Sequence, residues 1–219
     1  MSKVTKVVLG VSGASGACYA VRTLQLLMAA GIEVDLIYSS AARRVLFEEM
    51  GLRLEDDPEI LLQGQVAEAK LRLWPNEDIG APPASGTAIG DVVMLVPCSL
   101  STIGAIAHGS AANLIERAAQ VALKEGKQLL LVPRESPLSK LHLDCLSRLA
   151  WAGATVLPAS PGFYQRPQTI EELVDQVCGK ILNRCGIDQQ CLPAWDGGIG
   201  LSAQAAEKEG GDVGKANPS

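Results

Sequence analysis

Aromatic side chains are scarce in this chain: three Trp, three Tyr and two Phe make up 4% of 219 residues. Histidine is scarcer still, with only His108 and His142. Two isolated imidazoles, with no cysteine at ligand spacing, exclude the usual zinc arrangements, and no metal is expected. The six cysteines (Cys18, Cys98, Cys145, Cys178, Cys185, Cys191) include no C-x-x-C pair. They are expected to be free thiols, buried or half-buried, in a reducing compartment. No apolar run reaches the ~18 residues of a membrane span. The start, MSKVTKVV, enters a strand without a signal-cleavage pattern, so a cytoplasmic protein is expected. Positive charge is not in excess either. A net charge of −5 excludes a broad nucleic-acid or anionic-membrane surface, so an anion site has to be a local basic pocket.

What is present is a rhythm of apolar runs. Residues 4–11, 32–38, 91–97, 127–133 and 154–158 read as strands, several of them apolar on both faces, as in a parallel sheet covered by helices on each side. Helical patterns fall between them, near 17–30, 40–50, 99–107, 112–125, 138–152 and 169–185. The expected fold is a doubly wound α/β sandwich with a mainly parallel sheet, Rossmann-like or flavodoxin-like, forming a single domain over residues 1–195. Residues 72–90, rich in Pro and Gly, read as a long functional loop. Residues 196–219 read as a flexible tail.

Ligands of open α/β sheets sit at the carboxyl ends of the strands. Three small-residue turns fall there: SGASG after the first strand, YSSA after the second and PCSLST after the strand that begins at Asp91. Backbone N–H groups and hydroxyls at helix N-termini make a phosphate cradle, although a tight turn alone would use the same glycines. Gly10, Gly13 and Gly16 have the spacing of an NADP-type loop. The second strand, however, closes on Tyr38-Ser39-Ser40 without the acidic residue an NAD ribose needs, which suits FMN better.

The segments GVSGASGACYAVR, PPASGT, NLIERAA, VPRESP and GFYQRPQ, with LPAW near the end, closely resemble the UbiX-type flavin prenyltransferase family over residues 4–195. The resemblance implies prenylation of reduced FMN at N5 and C6 from dimethylallyl monophosphate. It also implies delivery of the prenyl-FMN product to a UbiD-type decarboxylase, and a homo-oligomer, usually a dodecamer, with sites at subunit junctions. It places FMN against Gly13, Ala14, Ser15, Ser39, Ser99, Leu100, Ser101, Thr102 and Arg134. The donor phosphate falls to Arg117, Lys124, Tyr164 and Lys180, and the catalytic roles to Ser15, Glu49 and Glu135. Spacing alone puts Asn113, Arg117, Gln120 and Lys124 on one helix face, which would equally suit a solvated stripe.

Each catalytic residue also has a plainer reading: Glu49 as an exposed helix-end charge, Glu135 as a partner of Arg134, Ser15 as a helix cap. Trp195 reads equally as core packing or as a residue reaching a neighbouring subunit. The chain departs from the well-studied family form at Lys180, where that form has Arg, and at Ile79, where some relatives have an aromatic. Asp56-Asp57 lacks the rest of a D-D-x-x-D magnesium motif, and Asp57-Pro58 reads as an N-cap followed by Pro at the first helical position. Two competing readings are an FMN-dependent decarboxylase of the phosphopantothenoylcysteine type and a non-catalytic flavin carrier. The first would show a P-x-M-N-x-x-M-W segment and an early histidine, both missing here; the second has no use for Arg117, Lys124 and Glu135.

Overall fold

Strands made of Val, Leu and Ile on both faces are satisfied only between two helical layers, and that arrangement is found. The computed structural model describes residues 3–55, 57–65 and 69–192; Asp56, Trp195 and the 196–219 segment lie outside them. The strands are β1 (Lys6–Val11), β2 (Glu33–Tyr38), β3 (Leu71–Pro75), β4 (Val92–Cys98), β5 (Gln128–Pro133) and β6 (Thr155–Val156). They pair in parallel in the order β3-β2-β1-β4-β5-β6. The chain builds outward from β1 to β3, then returns to the other side of β1 with β4. The carboxyl ends of β1 and β4 therefore flank the reversal, the place where such sheets bind ligands.

The helices are α1 (Ala17–Ala29), α2 (Ser40–Met50), α3 (Leu100–Ala107), α4 (Leu114–Lys124), α5 (Lys140–Trp151) and α6 (Ile170–Arg184). One face of the sheet, with Val7, Leu9, Leu36 and Met94, packs on α1, α2 and α6. The other, with Val8, Ile37, Val93 and Leu131, packs on α3, α4 and α5. Leu9, Leu36 and Met94 are fully buried, and truncating a large core side chain of this kind to Ala costs about 2–5 kcal/mol. Four helices start on a hydroxyl cap: Ser39 for α2, Ser99 for α3, Ser139 for α5 and Thr169 for α6. Such caps contribute about 1 kcal/mol each. All six cysteines are free; four are buried, and Cys18 and Cys191 are half-buried.

Every expected strand and helix forms, with ends shifted by a few residues. The 72–90 segment differs from expectation. Its start completes β3, Pro82–Ala84 is a 3-10 turn, and Ala81, Ala84 and Ile89 are buried against the α3–α5 layer. The edge position of β3 explains this, because Pro75 is tolerated where no further strand needs its N–H. Asp57 behaves as expected, accepting the Glu59 N–H on Oδ1 at 2.9 Å to open a 3-10 turn over Pro58–Leu62. Beside β3 a fully buried carboxylate, Asp35, is held by Lys6 at 2.7 Å, Arg72 at 2.7 Å and the Trp74 indole N–H at 2.9 Å. No helix among the described residues is long and apolar enough to cross a membrane.

Candidate active site

Three helix N-termini meet the carboxyl rim of the sheet, those of α1 after β1, α2 after β2 and α3 after β4. The turn from β1 into α1 is built for close approach. A Cβ on Gly13 would stand 2.6 Å from the Ala41 Cβ at the start of α2. Gly16, at φ 108°, takes a left-handed conformation that disfavours other residues, and it opens α1 without a side-chain cap of its own.

The missing cap comes from α2. Glu49 accepts the Gly16 N–H at 2.9 Å and the Ala17 N–H at 2.8 Å, so its carboxylate occupies the positive end of α1. Partial burial raises the Glu49 pKa. Hydrogen bonds from the Ser15 hydroxyl and from Ala17 and Gly16, with the Arg134 charge, outweigh that and leave the carboxyl below its ordinary value. Arg134, at the end of β5, donates Nε–H to the Ser15 carbonyl at 3.1 Å. Ser15, Glu49 and Arg134 thus form one connected group: Glu49 is exposed near the end of α2, as its plainer reading has it, but its charge is engaged at the start of α1, and the cap position of α1 is Gly16, not Ser15. With Glu49 on α1, an anion is left the N-termini of α2 and α3.

A second hydroxyl group lies across the reversal. Ser12 Oγ, buried, accepts the Ser99 N–H at 2.7 Å and ties the end of β1 to the end of β4. Ser99 Oγ lies 3.0 Å from Ser101 Oγ and 2.9 Å from Thr102 Oγ1, and accepts the Thr102 N–H at 3.3 Å. This leaves the Leu100 and Ser101 N–H groups for a ligand. The Leu100 side chain is buried in the core, so that residue has only its backbone to offer. Ser39 caps α2 through the Ala42 N–H at 3.1 Å. Ser12 was not singled out by the sequence, although it stands inside the same small-residue run.

The expected donor-phosphate residues do not converge within one chain. Arg117 and Lys124 lie on α4, in the α3–α5 layer, while Lys180 lies on α6, in the opposite layer. Tyr164, 78% exposed, lies in the segment between β6 and α6. The stripe on α4 is divided in use. Asn113 caps the helix, Gln120 donates to the Ile106 carbonyl at 2.8 Å, and Lys124 pairs with Glu125 at 2.5 Å. Arg117 is exposed, with no ion pair among the described residues. Glu135, exposed next to Arg134, accepts the Ser136 N–H at 3.0 Å and forms no ion pair with Arg134. Ile79 is 56% exposed on the segment after β3. Among the described residues, no three His, Cys, Asp or Glu side chains gather as a metal site.

The family model described as Flavoprotein matches residues 1–182. Flavin prenyltransferase UbiX of Pseudomonas aeruginosa is 43% identical over 201 residues, spanning 89% of this chain and 96% of that protein. The solved structure of AnUbiX (PadA1), in complex with FMN and dimethylallyl pyrophosphate, superposes with a TM-score of 0.81 at 32% identity, covering 89% of this chain and 99% of the other. The dodecameric FMN-dependent UbiX-like decarboxylase from Escherichia coli superposes at 0.80, also at 32% identity, over 88% of this chain and 100% of the other. With a family model over residues 1–182 and a flavin prenyltransferase 43% identical over nearly its whole length, the chain belongs to the UbiX-type flavin prenyltransferase family.

Proposed function

We propose that this flavin prenyltransferase joins a dimethylallyl group from dimethylallyl monophosphate to N5 and C6 of reduced FMN, and that the product serves a UbiD-type decarboxylase. The observation that carries the flavin half is the rim of the sheet: the first N–H groups of α3, the hydroxyls of Ser39, Ser99, Ser101 and Thr102, and Arg134 all follow the carboxyl ends of neighbouring strands. This donor set fits a phosphorylated flavin, with Gly13, Ala14 and Ser15 forming the floor. Reduced FMN supplies the two nucleophilic positions that receive the prenyl chain.

The chain's own residues do the rest. Arg117, Lys124, Tyr164 and Lys180 hold the donor phosphate and neutralise charge on it as the allylic C–O bond breaks. Three cations, Arg117, Lys124 and Lys180, remove the need for a divalent metal. Glu135 accepts the proton released at carbon when the ring closes. Ser15 relays a proton beside the flavin, and Glu49, held ionised by its hydrogen bonds, orients the Ser15 hydroxyl as an acceptor. Because α4 and α6 lie on opposite sides of the sheet, a complete phosphate site calls for α4 of one copy and α6 of another, in keeping with a homo-oligomer of dodecamer type.

The test is release of inorganic phosphate from the monophosphate donor, measured anaerobically with and without reduced FMN in the presence of EDTA. Flavin-dependent release that EDTA leaves unchanged supports the reading. Release only from the diphosphate donor with added magnesium contradicts it.

A further inference from the structure

The amino end of α4 is tethered to a residue far away in sequence. Asn76, which follows β3, accepts the Leu114 N–H on its backbone carbonyl at 2.8 Å and the Ile115 N–H on Oδ1 at 3.1 Å. Asn113 accepts the next two, the Glu116 N–H on Oδ1 at 3.0 Å and the Arg117 N–H on its carbonyl at 2.9 Å. Glu116, only 8% exposed, braces the segment before the helix, accepting the Ala112 N–H at 3.0 Å and the Asn113 side-chain amide at 2.7 Å. The Leu114, Ile115 and Glu116 N–H groups, which have no acceptor within the helix, are all taken, and Arg117 makes the first bond of the helix itself, so these groups are not available to an anion. What Asn76 governs is where the helix starts and which way it points.

Asn76 is well placed to relate α4 to the flavin rim. Tyr38 and Pro75 are partners in the β2–β3 register, so Ser39 and Asn76 leave the sheet side by side. Ser39 opens α2 at the crevice, while Asn76 holds the turn of α4 that carries Arg117. Asn76 thereby ties the first turn of α4, and with it the Arg117 backbone, to the edge of the sheet from which α2 also departs.

We propose that Asn76 is a positioning residue for donor binding, acting through Arg117. This rests on the reading of Arg117 as a ligand of the donor phosphate. Removing Oδ1 leaves the Ile115 N–H without its acceptor, loosens the first turn and blurs the placement of Arg117. A lost cap of about 1 kcal/mol corresponds to roughly a fivefold change in an equilibrium constant.

The experiment compares donor KM, kcat and FMN Kd for the wild type, Asn76→Ala, Asn76→Asp, Arg117→Ala and the double Ala variant. FMN Kd is read from flavin fluorescence quenching in the full-length protein. Asn76→Ala should raise donor KM roughly fivefold, leaving FMN Kd within about twofold. Asn76→Asp keeps an acceptor at the helix N-terminus and should restore the wild-type KM. In the Arg117→Ala background, Asn76→Ala should add nothing. If Arg117→Ala raises donor KM and Asn76→Ala does not, the positioning role is overturned while the phosphate reading stands. If Arg117→Ala leaves donor KM unchanged, both fall. Parallel losses in FMN Kd and donor KM, or failure of Asp to rescue, would make Asn76 a general structural residue and overturn the proposal.

Discussion

Glu49 caps α1 from another helix: its carboxylate takes the Ala17 N–H at 2.8 Å, together with that of Gly16. The negative charge at the positive end of α1 is stabilising, and protonation removes most of that benefit. The carboxyl lies below its ordinary value of 4.5 in the folded protein. A depressed folded pKa contributes stability that is fully present above the unfolded value and lost as pH falls through the folded value. Urea unfolding followed from pH 7 into acid should therefore show a stability loss below about pH 4.5 that is smaller in Glu49→Gln. An identical acid limb in both proteins contradicts the cap.

Gly13 is required by its neighbour Ala41. A methyl group at position 13 would meet the Ala41 Cβ at 2.6 Å, so the β1–α1 turn and the start of α2 must separate. Overpacking of this kind costs about 1–3 kcal/mol, and each 1.4 kcal/mol is about tenfold in affinity. Gly13→Ala should weaken FMN binding about tenfold or more, measured by fluorescence quenching.

Lys180 offers a point charge where a guanidinium would offer a two-pronged fork. Lys180→Arg should lower donor KM. Lys180→Ala should raise it about tenfold or more, the equivalent of a charged hydrogen bond of roughly 1.5–3 kcal/mol. FMN Kd should stay unchanged in both. A donor KM untouched by Lys180→Ala removes this residue from the phosphate site.

Glu135 separates an enzyme from a flavin carrier. Gln keeps its size and its hydrogen bond to the Ser136 N–H but takes no proton at neutral pH. Glu135→Gln should bind FMN normally and assemble normally, while prenyl-FMN formation falls by about 10²–10⁴. Wild-type turnover excludes the proton-transfer role, and lost flavin binding would make Glu135 structural.

The two helical layers and most of the sheet could be read from the sequence because Val-, Leu- and Ile-rich runs alternate with amphipathic stretches of helical period. The strand β3 was hidden by its own punctuation. Leu71-Arg72-Leu73-Trp74 alternates, but the Pro-Asn that follows suggests a loop, and only its edge position reconciles the two. Long-range caps leave no local signature at all. Nothing near Gly16 announces that Glu49 will cap α1, and nothing near Leu114 points to Asn76. The expected site residues rest on residue types at matching positions. Which of them meet is a property of topology: Ser15, Glu49 and Arg134 converge at the rim, whereas Arg117 and Lys180 are divided by the sheet.

The most direct test of prenyl transfer is the mass of the flavin. Purified protein is incubated anaerobically with reduced FMN and dimethylallyl monophosphate, and the released flavin is analysed by mass spectrometry. The predicted product is FMN heavier by one isoprene unit, formed only when protein and donor are both present. Recovery of FMN with unchanged mass, from a protein shown to bind both ligands, would contradict the assignment.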